Sequence, residues 1–516
     1  MMPNIKWDEE TDVIIAGYGL AGGVAAIEAC DAGAKVIILE KSAYPGGCSI
    51  LSGGMVLCAY DAEEATQYLR ATSGERIDDG LIQDFAREMA LNEKYLRKLA
   101  SPYHAKINTT KAHESGAKYE ADYIPLAYPF PGYETFYRAG IAEVPGFNGF
   151  NWVQRLRPAG INLMKVVFDS VEARPAKVLF STPAKKLVTS SKGEIIGIIA
   201  HQGEKELALK ARRAVILACG GFEQNEWLLK QYLQGTPFYS MAPTTHTGDG
   251  ILMTQKVGAA LWHMWHVHGS YGFKYDGFPI AFRTTFAGSR NPKRIMPWIV
   301  TDKFGNRYMN EYQPAPQDTN HRAMETFDPD MPGYSRIPSY VIFDEEGRKH
   351  GPLGQPLAIG EAVYEWSRDN QKEVAKGWIF KEDSIGKLAL RIKETKDNEG
   401  VMDPNTLEAT ISQWNRIATN GKDPLQRPPK TMIPIKVSPF YAAPVWPIIS
   451  NTQGGPQHNV RQQVLDSFGE PIPRLYTAGE LGSFWSHIYL LSGNLGECLS
   501  SGRVASRNAS AEPTQE

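Results

Sequence analysis

Residues 13–41 read VIIAGYGLAGGVAAIEACDAGAKVIILEK. The apolar run Val13–Ala16 meets a glycine-rich turn, Gly17-Tyr18-Gly19-Leu20-Ala21-Gly22-Gly23. A small-residue segment to about Ala32 reads as a helix, and AKVIILE reads as a second strand ending at Glu40. The order predicts a βαβ unit with glycines at its first turn. Gly17 permits the tight turn, Gly19 admits a pyrophosphate to the backbone, and Gly22 lets helix and strand close together. The helix N-terminus then faces the phosphate charge. Glu40 follows Gly17 by 23 residues, where its carboxylate can accept from ribose hydroxyls. Together these features predict a dinucleotide site.

The unit lies close to the start of the 516-residue sequence, so it organises the fold rather than decorating it. A net charge of −2 gives no electrostatic ground for binding nucleic acid or an anionic membrane. The basic pair Arg212-Arg213 reads as solvated surface. Cys30, Cys48, Cys58, Cys219 and Cys498 are odd in number and share no CxxC or Cys/His spacing. That pattern argues against a disulfide framework and against zinc, and suits a reducing compartment. The first ten residues, MMPNIKWDEE, lack the apolar core of a signal peptide, and no apolar run approaches membrane-spanning length. The expectation is a cytoplasmic enzyme without a metal. Its 11 Trp and 23 Tyr leave material for an aromatic-lined pocket beyond the core.

Farther on, residues 180–225 read as strands with a hairpin at Ser191-Lys192-Gly193, ending before Gly220-Gly221. Residues 276–427 change texture, being rich in proline and irregular before two helical pieces, WSRDNQKEVAKG and TLEATISQWNRIATNG. This segment reads as an inserted domain. A β-rich pattern returns near 428, and SAEPTQE reads as a loose tail. No internal repeat is present.

A nicotinamide enzyme would need little beyond the first βαβ unit. Here a second glycine cluster follows at once, Pro45-Gly46-Gly47-Cys48-Ser49-Ile50-Leu51-Ser52-Gly53-Gly54. Its backbone N–H groups and the Ser49 and Ser52 hydroxyls suit a second polar length of cofactor, such as a ribityl chain and flavin edge. Near the end, Leu475-Tyr476-Thr477-Ala478-Gly479-Glu480 brings a carboxylate off a strand, and Ser492-Gly493-Asn494-Leu495-Gly496-Glu497 opens a final helix. A helix N-terminus beside a flavin ring stabilises negative charge there.

These segments occur in order with AVILACGGFEQN, TDKFGNRYMNE, SPFYAAPV and NTQGGPQHNV. In that order the sequence resembles the fumarate reductase/succinate dehydrogenase flavoprotein superfamily, and within it the branch of 3-ketosteroid dehydrogenases and related cyclic-ketone desaturases. The likeness spans nearly the whole chain. It implies an α/β fold, a Rossmann-like (GR2-type) split FAD-binding domain carrying an inserted α+β capping substrate domain. The two FAD parts would be 1–275 and 428–516, and the cap 276–427. It implies FAD contacts from Gly17, Gly19, Gly22, Glu40, Lys41, Gly47, Ser49, Ser52, Gly53, Gly54, Gly248, Asp249, Glu480 and Leu495. Leu20, Ala21, Cys48, Gly220, Gly221, Gly479, Gly493 and Asn494 complete the expected set. The implied partners are a small cyclic ketone or enone and an external electron acceptor or donor, with oligomeric state left open. No CxxCH haem motif occurs to supply electrons from within.

Fumarate reducers of the superfamily resemble one another in two arginines. One stands four residues after the Glu of an RFxNE-like segment, which here is Arg307–Glu311, and the position holds Ala315. The other stands four residues before the Asn of a GGN-like motif, and the position holds Leu490. Both losses weaken the case for a small dicarboxylate, which bidentate arginines hold best. Arg283, Arg290 and Arg322 remain to serve a carboxylate.

What stands at the second position instead is His487-Ile488-Tyr489, with Gly493 four residues beyond the tyrosine. This resembles the dehydrogenase branch and implies the Tyr489 hydroxyl and the Gly493 N–H as donors to a substrate ketone. For the base, Tyr312 is displaced from the branch's usual register, and Tyr128, Tyr133, Tyr271 and Tyr275 are the alternatives. His487 is a candidate proton relay or a hydrogen-bonded wall. Trp262, His263, Trp265, His266 and His268 read as pocket lining rather than as metal ligands. The expected reaction is α,β-dehydrogenation of a cyclic ketone. The alternative is ene-reduction of an enone or unsaturated carboxylate.

Overall fold

The computed structural model describes residues 5–111, 130–153, 158–285, 295–312, 321–359 and 362–515. Strand Glu9–Ala16 runs parallel to Val36–Leu39 and to Lys205–Leu217. Strand Ala176–Leu179 extends the sheet beyond Val36–Leu39, and Pro471–Thr477 adds in parallel beside Lys205–Leu217. The sheet is therefore split in sequence, with its last parallel strand supplied from the C-terminal region. Alternate residues of the first strand are buried on opposite faces. Val13 and Ile15 pack under the helices Leu20–Asp31, Pro158–Glu172 and Gly493–Ala511, while Ile14 packs with Ile37, Val215, Leu217 and Phe222. Both faces being covered explains why VIIA and VIIL carry no polar alternation.

Two glycines in the first turn have no substitute. Gly17 has φ +108°, and a Cβ there would lie 2.1 Å from the Ala218 carbonyl oxygen. A Cβ on Gly22 would lie 2.0 Å from the Gly17 oxygen, so the helix leaves the strand only because both side chains are absent.

A second, seven-stranded sheet forms the cap. Its backbone is the 13-residue strand Phe440–Thr452, which pairs with Val267–Phe273 on one side and Ser339–Asp344 on the other. The sheet thus draws strands from both sides of residues 276–427. The long strand passes from the cap into the FAD domain and carries Asn451 and Thr452 there. The cap core packs Tyr271, Trp298, Tyr312, Val341 and Trp446 together. The two helical pieces of the insertion appear as Gln371–Ala375 and Pro404–Asn420.

The expected loose tail is tied down. Glu512 accepts from the Tyr476 hydroxyl at 2.6 Å, and the Gln515 N–H donates to Arg212 O at 2.8 Å. Arg212 and Arg213 are likewise engaged, with Asp12 and Ser510 O, instead of being free surface charge. Among the described residues, no helix is long and apolar enough to cross a membrane.

Candidate active site

The nucleotide end of the site forms where the first strand, the glycine turn and the second strand meet. Its lining includes Gly17, Gly19, Leu20, Ala21, Glu40, Lys41, Gly47, Cys48, Ser49, Gly220, Asp249 and Glu480, which the sequence named, and Tyr18, Ala184, Cys219, His246 and Cys498, which it did not. Gly19 caps the helix Leu20–Asp31 without a side chain, and the Leu20 N–H donates to the Ser49 hydroxyl oxygen at 3.2 Å. That helix end is a ready anion site. Glu40 accepts from the Tyr18 N–H at 2.9 Å and the Ser42 N–H at 2.8 Å. Burial still raises its carboxyl above the ordinary range. Lys41 reaches across to Asp249 at 2.8 Å and Thr247 Oγ1 at 2.5 Å, pinning the loop that carries His246.

Other anticipated residues support the cavity from behind. Gly221, Gly479 and Gly54 sit where a Cβ would strike Thr452, Ala21 and Ala159 respectively. The Ser52 hydroxyl donates to Ser49 O at 2.6 Å and receives the Gly54 N–H, which leaves Gly53 inside a closed local turn. Gly248 lies in the left-handed region, and a Cβ there would press on Leu228 and Phe222, so it shapes the loop behind the cavity. Gly493, Asn494 and Leu495 open the final helix, Gly493–Ala511.

At the far end of the cavity lies a cluster the sequence did not disclose. Cys48, Glu223, His246 and Glu480 each bring one donor atom to within 4.8 Å of the others. The Thr452 N–H is shared by both carboxyls, at 3.1 Å to Glu223 Oε1 and 3.0 Å to Glu480 Oε1. His246 Nδ1 lies 3.3 Å from Glu223 Oε2 and 3.7 Å from Cys48 Sγ. Burial and the neighbouring Glu223 charge push Glu480 well above the ordinary carboxyl range. Burial acts on Glu223 too, but hydrogen bonding from Glu480 and the His246 charge outweigh it and hold Glu223 low. Burial also pushes the Cys48 thiol well up, which keeps it from acting as a thiolate ligand. GGFEQN contained Glu223, yet nothing in a lone Glu after a Gly-Gly pair announces a buried acid pair.

Beyond this cluster, the cap strand brings His268 beside Tyr489, ring centroids 4.1 Å apart and stacked, with Trp485 edge-on to the tyrosine at 5.8 Å. The segment bearing Tyr489 is fastened on both sides. Glu497 accepts from the Phe484 N–H at 2.5 Å and the Ser483 hydroxyl at 2.6 Å, and burial pushes its carboxyl up to about 8. His263 and His266 bond the carbonyls of Ser483 and Trp485 at 2.6 and 2.9 Å. Those two histidines are therefore structural pins.

Several candidates are placed away from Tyr489. Tyr271 is 1% exposed inside the cap core, where burial raises its hydroxyl and works against a phenolate base. Tyr275 stacks on Trp378 at 4.2 Å and donates to Trp378 O, a packing role. Tyr312 belongs to the same core as Tyr271, whereas Tyr489 packs with Phe85, Phe136 and Trp485. Tyr133 lines that second cluster. His487 sits at the rim, edge-on to Trp265, with Arg322 donating to its carbonyl at 2.8 Å. The Gly493 N–H, anticipated as a ketone donor, instead donates to Leu490 O at 2.8 Å. Tyr128, Arg290 and Ala315 lie outside the described residues.

The cradle fits FAD. Besides the cavity and its bare helix end, Gln453 is fully buried with both amide atoms unpartnered among the described residues, and both amide atoms of Asn494 are likewise unmatched. Such orphans await hydrogen-bonding edges from a bound group.

Comparison with known proteins agrees. The family described as the FAD binding domain matches residues 12–495. The acrylate reductase flavoprotein subunit of Shewanella woodyi is 27% identical, covering 98% of this chain and 92% of its own. The 4-oxocyclohexanecarboxylate 2-dehydrogenase of Sinomonas cyclohexanicum is 24% identical, over 91% of this chain and 87% of its own. In fold, the 3-ketosteroid Δ1-dehydrogenase of Sterolibacterium denitrificans superposes with a TM-score of 0.79 at 21% identity, covering 97% of this chain and 99% of that one. The chain belongs to the FAD binding domain family, within the broad fumarate reductase/succinate dehydrogenase-like superfamily, and is an FAD-dependent oxidoreductase acting on CH–CH groups.

Proposed function

We propose that the protein dehydrogenates a cyclic ketone, of the 3-ketosteroid or 4-oxocyclohexane type, to its α,β-unsaturated form. The observation that carries this reading is Tyr489, buried and held against His268 in a segment pinned by Glu497, His263 and His266. Bound FAD supplies the two-electron acceptor for the hydride. Tyr489 donates its hydroxyl to the ketone oxygen, which acidifies the α C–H as charge moves onto oxygen. A base takes the α-proton as the β-hydrogen leaves with its electron pair. Tyr271 and Tyr275 are poor bases because burial disfavours their phenolates. Tyr312 shares that core with Tyr271, which leaves Tyr133, packed against the cluster that holds Tyr489, and Tyr128 as the candidates. Trp485 and Phe484, 1% and 3% exposed, are core that backs Tyr489. The dehydrogenase relatives support the cyclic ketone. The two electrons removed from the substrate pass on to an external acceptor.

The acrylate reductase relative favours a second reading, reduction of an unsaturated carboxylate. Anaerobic mixing separates the two. Bleaching of the flavin by a ketosteroid or 4-oxocyclohexanecarboxylate supports desaturation. Bleaching by neither, with the reduced enzyme reoxidised by acrylate or fumarate, supports reduction. Under the favoured reading Tyr489→Phe retains FAD and loses turnover about a hundredfold. Full turnover in that variant removes Tyr489 from the ketone.

A further inference from the structure

We propose that Glu223 is a positioning residue for the cofactor, holding one shared proton on Glu480 so that the cavity wall at Glu480 carries no charge. Glu480 lines the cofactor cavity and Glu223 does not. Their Oε1 atoms converge on one donor, the Thr452 N–H, at 3.0 and 3.1 Å. A Cβ on Gly221 would lie 2.6 Å from Glu480 Oε1 and 3.0 Å from Glu223 Oε1, so the glycine is what lets the two carboxyls meet.

Two carboxylates so close, with one N–H between them, do not both ionise. The surroundings decide where the proton rests. His246 Nδ1 lies 3.3 Å from the outer oxygen of Glu223 and favours the anion there. The outer oxygen of Glu480 receives only the Asn451 amide, at 3.3 Å. The proton therefore stays on Glu480 and is donated to Glu223. Other titratable groups facing Glu480 are the Cys48 and Cys498 thiols, both kept neutral by burial. His246 also faces Glu40, and Glu497 stands behind Cys498. The negative charge of the pair is thus set one residue back from the cavity, against His246, where it opposes reduction of a bound flavin least.

Removing Glu223 moves that charge forward. In Glu223→Gln the new amide donates to Glu480, which ionises in the cavity wall. The test is the flavin midpoint potential of the holoenzyme at pH 8, read against a reference dye. Glu223→Gln lowers the reduced-to-oxidised ratio at a fixed potential by tenfold or more, about 30 mV for a two-electron couple. Glu480→Gln, although it alters the lining residue, changes that ratio less than threefold, and Glu223→Gln/Glu480→Gln returns to within threefold of the parent. The proposal is overturned if Glu480→Gln is the more damaging change, or if the double variant sums the two. Infrared difference spectroscopy provides a second readout should Glu223→Gln shed its flavin. The parent holoenzyme at pH 8 shows a protonated-carboxyl C=O band that Glu480→Gln lacks, and an unchanged spectrum in that variant rejects the shared proton. These readouts need no substrate, so they stand or fall apart from the ketone reading.

Discussion

Lys41 Nζ lies 2.8 Å from Asp249 Oδ2, joining the end of the second strand to the first turn of a helix 208 residues farther on. The same ammonium holds Thr245 O and Thr247 Oγ1, so it clamps the loop that carries His246 against the nucleotide cavity. Both partners are about a third exposed, at 31% and 27%, so the pair is screened and contributes about 1 kcal/mol. Lys41→Met is expected to lower FAD affinity about fivefold. In 1 M salt the gap between parent and variant should narrow, as measured by flavin release on dilution. A gap that does not narrow means the lysine acts by packing alone.

Gly17→Ala tests the turn that opens the fold. Its φ of +108° strains any side chain, and the added carbon would sit 2.1 Å from the Ala218 oxygen in the neighbouring loop. Backbone strain alone costs about 1–3 kcal/mol, and the collision adds to it. The expected product is apoprotein with a clearly lowered melting temperature. Full flavin content in the purified variant contradicts the close approach.

The βαβ unit was legible because its determinants are local. Val13–Ala16, the glycine spacing and Glu40 all lie within one short stretch, and the structure reproduces each. The final helix and the Ser191-Gly193 hairpin were legible for the same reason. What escaped was set by distant partners. Glu223 and Glu480 meet because Gly221, in the loop after Lys205–Leu217, comes against Thr452 at the end of Phe440–Thr452. Arg307 and Glu311 served in the sequence only to mark a segment, whereas in the fold the Arg307 guanidinium engages Asp423 and the Glu311 carboxylate engages Arg427, each 116 residues away in sequence. Tyr271 and Tyr275 matched a catalytic residue type, but Tyr271 lies on a strand buried along its whole length and Tyr275 packs against the same cap core. Sequence names a side chain and leaves its direction to the fold.

That ion cluster makes the cap acid-sensitive. Arg427 is fully buried, 3.2 Å from Glu311 Oε2, and Arg307 spans Glu311 and Asp423 at 2.7 and 2.8 Å. Burial works against ionisation of both carboxyls, but the arginines overcome it and hold each below its usual range. Depressed carboxyls stabilise the fold above their unfolded values, near pH 4, and that contribution disappears as pH falls through the folded values. Glu311→Gln leaves Arg427 without its counter-charge and is expected to cost about 3–5 kcal/mol at pH 7. Melting curves from pH 7 to pH 3 should show a steep fall below pH 4 in the parent and a shallower one in the variant. Parallel curves would remove Glu311 from the acid response.

Glu497 has the opposite sign. Burial pushes its carboxyl up to about 8, so between the unfolded value near 4.3 and pH 8 the folded chain binds the extra proton. Stability then falls as pH rises through that window. Gln in its place still accepts from the Phe484 N–H and can donate to Ser483. Glu497→Gln should match the parent at pH 5 and exceed it by a few kcal/mol at pH 8. Equal melting temperatures at both pH values would show that the carboxyl is not protonated in the fold.

Gly493 separates geometry at Tyr489 from binding of the cofactor. A Cβ there would lie 2.4 Å from the Trp485 ring. That ring cannot step aside freely, being 1% exposed and wedged edge-on between Phe85 at 5.8 Å and Tyr489 at 5.8 Å. Gly493→Ala therefore pushes Trp485 into Tyr489 and loosens the stack on His268. Neither Gly493 nor Trp485 lines the nucleotide cavity. Overpacking of this kind costs about 1–3 kcal/mol, a modest fall in melting temperature. Flavin content should stay near one per chain while turnover drops by at least tenfold, and adding Tyr489→Phe to the variant should cost less than it does in the parent because the clamp is already displaced. Independent, additive losses would mean that Trp485 does not hold Tyr489 in place.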